Sequence, residues 1–138
     1  MSISDLGIGM AAVAAVVSTA LQLVLPQPAP LVINNLTYAD GIVTQDRTLN
    51  TDQPAFYAQW TATVENAETG ESLRWCEGSG ANGYPPGQKA VTFTLADWTG
   101  RATCTPDSLP PGLYALRASW RWGAESTSFK SAVFEVKP

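Results

Sequence analysis

The 138-residue chain contains no histidine, and only 14% of its residues carry a charge. Without histidine the commonest general base and the commonest metal ligand are both missing. Basic residues number eight (Arg47, Arg74, Lys89, Arg101, Arg117, Arg121, Lys130 and Lys137); they are scattered, and the formal net charge is −4. Phosphate backbones are held by clustered Lys and Arg, so no nucleic-acid partner is expected. No polybasic stretch is present to hold an anionic lipid face.

Cysteine is confined to Cys76 and Cys104. Two thiolates with no histidine are too few for a zinc site, so the pair reads as one disulfide, with two buried thiols of a reducing compartment as the alternative. In the chain-entropy picture the bond is worth about 4 kcal/mol. It puts the domain that carries it in an oxidising compartment or on a particle exterior.

Reactive patterns are equally sparse. No SxxK motif occurs, and serine chemistry lacks its histidine. The carboxylates Glu71, Glu77, Asp97 and Asp107 fall in or beside turn-forming stretches, where Asp and Glu ordinarily bond backbone groups. GSGANG at 78–83 lacks the Lys and the following helix of a phosphate loop and reads as flexible loop. ADG and PDS are isolated and supply no calcium cluster. The expectation is a protein that is not an enzyme and has no catalytic residues, cofactor or metal.

What the chain does have is a run of apolar residues at 6–25, LGIGMAAVAAVVSTALQLVL, closed by Pro26. Twenty helical residues rise about 30 Å, the hydrocarbon thickness of a bilayer. Ser2 or Ser4 can cap such a helix, and Asp5 suits the positive end of its dipole. Three readings compete. A cleaved signal peptide lacks its positive flank. A transmembrane helix tolerates Ser18, Thr19 and Gln22, which bond the backbone or a neighbour. A helix buried in an assembly fits the 4-3-4-3-4 spacing of Leu6, Met10, Val13, Val17, Ala20 and Val24, a heptad seam that leans toward a homo-oligomer. The bilayer reading ranks first and the assembly reading second. The division is therefore an N-terminal helix as anchor at 1–25, a stiff PQPAP spacer at 26–30 and a β domain at 31–138.

In that third part the apolar residues alternate, the strand period. Phe56, Ala58, Trp60, Ala62 and Val64 face one way; Tyr57, Gln59, Thr61 and Thr63 face the other. Tyr114, Leu116, Ala118, Trp120 and Trp122 alternate with Arg117, Ser119 and Arg121. Shorter runs are Val91, Phe93, Leu95 and Ala132, Phe134, Val136, with edge strands expected at 31–38 and 41–44. A strand at 71–76 pairs with the one ending at Val64 through the NAETG turn. Other turns are expected at ADG, at GSGANGYPPG (78–87), at DWTG (97–100) and at LPPG (109–112), and no helix after Pro30. The fold class is mainly β, an antiparallel β-sandwich.

The stretch LPPGLYALRASW, 109–120, resembles the turn and strand of immunoglobulin-like and fibronectin type III-like domains. The resemblance implies that the Tyr114 hydroxyl bonds back across the corner. The cysteines depart from that family's pattern, because Cys104 precedes the tyrosine strand instead of following Tyr114 by two residues. The bridge is expected to staple the 78–88 loop region to the 98–107 loop.

Five tryptophans remain to be placed. Trp60, Trp120 and Trp122 fall on core-facing positions. Trp75 and Trp98 sit beside loops near the cysteines, with Tyr84 between. They form either a small cluster packed on the disulfide or a partner-contact patch with Arg74 and Arg101. The whole design, a tether, a stiff spacer and a small β domain, resembles minor structural proteins of bacteriophage particles, among them vertex, spike and cement elements. The first expectation is a non-catalytic structural protein of a membrane or virion, with protein partners and a lipid bilayer around its anchor. The alternative is a cell-envelope module capturing glycan or protein through Trp75, Tyr84 and Trp98.

Overall fold

A computed structural model describes residues 30–50 and 56–138. The expected anchor helix with its expected seam residues Leu6, Met10, Val13, Val17, Ala20 and Val24, and all of the spacer but Pro30, lie outside the described residues.

Among the described residues eight strands form two antiparallel sheets. The first sheet has the order β1–β2–β5, from Leu31–Ala39, Ile42–Leu49 and Gly87–Thr94. The second has the order β4–β3–β6–β7, from Ser72–Tyr84, Phe56–Asn66, Gly112–Trp122 and Glu125–Lys130, and β8, Phe134–Val136, continues the β7 edge against β6. Between β7 and β8 the chain turns on Ser131, whose N–H donates to the Leu116 carbonyl while its Oγ accepts from the Leu116 N–H, both at 2.8 Å.

The strand alternation holds where it was clearest. Phe56, Ala58, Ala62 and Val64 of β3 are buried with Leu116, Ala118 and Trp120 of β6, between the sheets. β1 and β2 contribute Leu31, Ile33, Leu36, Val43 and Leu49 to the same core. The ADG turn is a two-residue hairpin with Asp40 and Gly41 both at positive φ, the pairing that matches strand twist. Tyr114 Oη donates to the Pro110 carbonyl at 2.6 Å, fastening the start of β6 to the turn before it. Tyr114→Phe should cost about 1 kcal/mol, the net value of one such bond. Urea denaturation of the two proteins checks it, and equal midpoints would remove the corner bond as a stabilising element.

Four expectations are corrected. GSGANG is not a flexible loop: β4 runs unbroken through it to Tyr84. Two of its glycines, Gly80 and Gly83, are seats for aromatic rings, and Gly78 makes room for backbone. A Cβ on Gly80 would lie 2.8 Å from Trp60 Cζ2, and one on Gly78 would lie 1.7 Å from the Thr99 carbonyl oxygen. DWTG is not a turn but most of a short helix, α1, at Leu95–Thr99. Thr94 Oγ1 accepts from the Asp97 N–H at its start, and Gly100 ends it at φ 69°. Leu95 is thus buried as the first helical residue and not as the last strand residue. The strand expected at the edge over 41–44 is the centre of the first sheet, because β5 pairs its far side.

Candidate functional site

Cys76 and Cys104 are bonded, as the sequence implied. The bond does not join two loops, however. Cys76 lies in β4, and Cys104 lies in the connection that follows α1. That connection lies along β4 as a clasp. Arg101 donates from Nη1 to the Arg74 and Glu77 carbonyls at 3.2 and 2.8 Å. Thr103 Oγ1 donates to the Trp75 carbonyl at 2.9 Å, and Trp75 Nε1 donates to Ser108 Oγ at 3.2 Å. β4 is an outer strand of its sheet, and unpaired carbonyls there invite pairing with other chains. The clasp satisfies three of them.

The suggested contact patch of Trp75, Tyr84, Trp98, Arg74 and Arg101 is therefore not assembled. Trp98 is 5% exposed, because α1 turns its ring between the sheets, where Nε1 donates to Gln45 Oε1 at 3.2 Å. Tyr84 is 4% exposed, and its hydroxyl accepts from Trp120 Nε1 at 3.0 Å. The Arg47 guanidinium lies over the Tyr84 ring at 4.6 Å, and burial raises the Tyr84 pKa above its ordinary value. Trp75 is half-buried under the clasp, Arg101 is engaged by backbone, and Arg74 stays exposed. Beside Trp98 and Tyr84 the sheets leave a cavity of about 60 Å³, room for about two waters and too small for a metabolite. No group of three or more His, Cys, Asp or Glu among the described residues is placed to hold a metal.

An organised surface appears instead on the outer face of the second sheet. Register aligns its side chains in rows across the strands. Thr61 of β3 faces Ser79 of β4 and Ser119 of β6, and Ser119 faces Ser128 of β7. The Thr61 and Ser119 hydroxyls bond each other. The next row is Ala81, Gln59, Arg121 and Ser126, in which Arg121 donates to Gln59 Oε1. Beyond it Tyr57 faces Gly83. A Cβ on Gly83 would lie 3.1 Å from Tyr57 Cε1, so the ring rests on the glycine, and Tyr57 remains 70% exposed. Two shallow depressions of about 770 and 430 Å³ cover these rows and meet at Gln59, Ala81 and Arg121.

The opposite end of the face is closed by charge. Glu65 is 3% exposed although it points outward, since Arg117 and Lys130 cover it. Arg117 Nε and Nη2 donate to its two oxygens at 2.8 and 3.2 Å, and Lys130 Nζ stands 3.4 Å away. The Arg117 hydrogen bond chiefly holds the Glu65 carboxyl below the usual carboxylate range, against the opposing effect of burial.

Alternation had put Tyr57, Gln59, Thr61, Ser119 and Arg121 on the non-core side, but nothing local says which strands adjoin. The rows follow from pairings between residues tens of positions apart. Comparison of the chain with known protein families and with characterised proteins gives no match.

Proposed function

We propose that the chain is a non-catalytic structural protein: an apolar N-terminal anchor carrying an immunoglobulin-like β domain that decorates or bridges a membrane or a large particle, in the manner of a phage vertex, spike or minor capsid component. The observation that carries this reading is the outer face of the second sheet. It is in register across four strands, exposed at Tyr57, Gln59, Thr61 and Arg121, and built of short hydrogen-bonding side chains. Several polar groups elsewhere serve the architecture. Arg101 and Thr103 clasp β4, Arg117 and Lys130 hold Glu65, and Gln45 holds Trp98. The disulfide fits an exterior or oxidising location. The Tyr114–Pro110 bond accords with the immunoglobulin-like reading.

The anchor part rests on the sequence of residues 6–25. No helix among the described residues is long and apolar enough to cross a membrane. Fractionation tests both parts. The protein should co-purify with particles or membranes at fixed stoichiometry and stay in the pellet after alkaline carbonate. Recovery as a free protein from intact cells would overturn the reading, while carbonate release from a still-intact particle would replace the bilayer by sister helices.

A further inference from the structure

We infer that the outer face of the second sheet is a binding groove for an acidic oligosaccharide, with Tyr57 as its stacking platform and Arg121 as its anion contact. The inference deepens the reading above, in which this face meets the partner.

The ring of Tyr57 is seated on Gly83 with its other side open to solvent. A tyrosine held this way offers a broad apolar surface at small cost in side-chain entropy. Its shape suits the C–H face of a pyranose ring. Beside it the two depressions are lined by side chains that match sugar hydroxyls. Serine and threonine each donate once and accept twice, as a sugar hydroxyl does. The row Ser79, Thr61, Ser119 and Ser128 repeats across strands roughly 4.8 Å apart, so an extended chain lying across the strands meets a hydroxyl at each step.

Charge selects the kind of sugar. Among the described residues Arg121 is the one charged side chain lining either depression, and it lines both. One of its terminal nitrogens donates to Gln59; a guanidinium has five N–H donors in all, so most remain for a carboxylate. Among the described residues no Asp or Glu lines either depression to repel one. Among the described residues of the outer face Arg117, Arg121 and Lys130 stand against Glu65, Glu77 and Glu135, an even balance on a chain of net charge −4, and of these six only Arg121 lines the depressions. A protein partner is disfavoured, because beyond Tyr57 the outward side chains of these rows include no large apolar anchor of the kind that centres a protein interface.

The test uses the full chain in detergent. Immobilised oligogalacturonate, oligoalginate and hyaluronan fragments are compared with cellohexaose and maltohexaose. The acidic probes should be retained and the neutral ones bound at least about tenfold more weakly, and Tyr57→Ala and Arg121→Gln should each weaken retention about tenfold or more. Both side chains are exposed, so thermal unfolding should be unchanged, and Arg74→Gln serves as the exposed control that keeps full binding. Failure of the folded protein to hold any acidic probe, equal binding by both variants, or equal binding of neutral probes would each overturn the inference. No glycan binding by the unmutated chain together with its co-purification at fixed stoichiometry would remove the ligand and leave the structural role; failure of the unmutated chain to co-purify would remove the role itself.

Discussion

Replacing Cys76 and Cys104 together by alanine should lower the stability of the β domain by about 3.5 kcal/mol, read as a fall in the urea midpoint, with a steeper slope because the unfolded chain expands. The cysteines are 28 residues apart, and cutting the bond frees that loop in the unfolded chain. Both residues are fully buried, so the native protein should resist dithiothreitol and become reducible only once denaturant opens it. Alanine is preferred to serine because it adds no hydroxyl to an apolar site. The loss has a local signature as well. Arg101 and Thr103 bond β4 carbonyls from the same connection that Cys104 anchors. Without the bond that connection should be the first site cut in limited proteolysis, and β4 should expose its edge. An unchanged midpoint and an unchanged cleavage pattern would show that the clasp holds without its covalent link.

The sequence made this bond legible because only one pairing was available, and it made β3 and β6 legible for a different reason. These strands have one face on the core and one toward water, so their side chains alternate cleanly. The second half of β4 offered no such pattern. Its glycines are strand residues because the rings of Trp60 and Tyr57 on β3 need the space above Gly80 and Gly83, and a ring on another strand leaves no trace in GSGANG. α1 is too short for a period, yet its caps were present in TLADWTG: a threonine three residues before an aspartate, and a glycine at the end. Reading those caps would have moved Trp98 from beside a loop into the core. The candidate groove was half legible. Alternation put Tyr57, Gln59 and Thr61 on the outer face, but their neighbours Ser79, Arg121 and Ser128 come from strands whose order the local sequence does not encode. Glu65 is the sharpest case, an outward position that is buried because cations from β6 and β7 cover it.

That cluster yields the second large effect. Arg117→Met should cost about 2–3 kcal/mol at neutral pH, since truncating one partner of a buried pair leaves a carboxylate without its main hydrogen-bond donor. The figure sits at or below the low end for buried pairs because the side chains of Arg117 and Lys130 are 47% and 45% exposed, and water screens the attraction. Glu65→Gln should cost less, about 1 kcal/mol, because the two cations it releases can turn into solvent. The pH dependence separates the two variants. The folded pKa of Glu65 is depressed, chiefly by the Arg117 hydrogen bond. Its contribution is therefore complete above the unfolded carboxylate pKa of about 4.3 and is lost as pH falls through the lower folded value. Glu65→Gln should flatten the acid limb of the wild-type stability curve. In Arg117→Met the same burial acts with less compensation, so the Glu65 carboxyl takes up its proton at higher pH and the deficit against wild type narrows on acidification. Urea midpoints measured from pH 3 to pH 7 decide the matter. A deficit for Arg117→Met that stays constant across that range would mean the arginine acts by packing its stem on the sheet, and not by holding the charge beneath it.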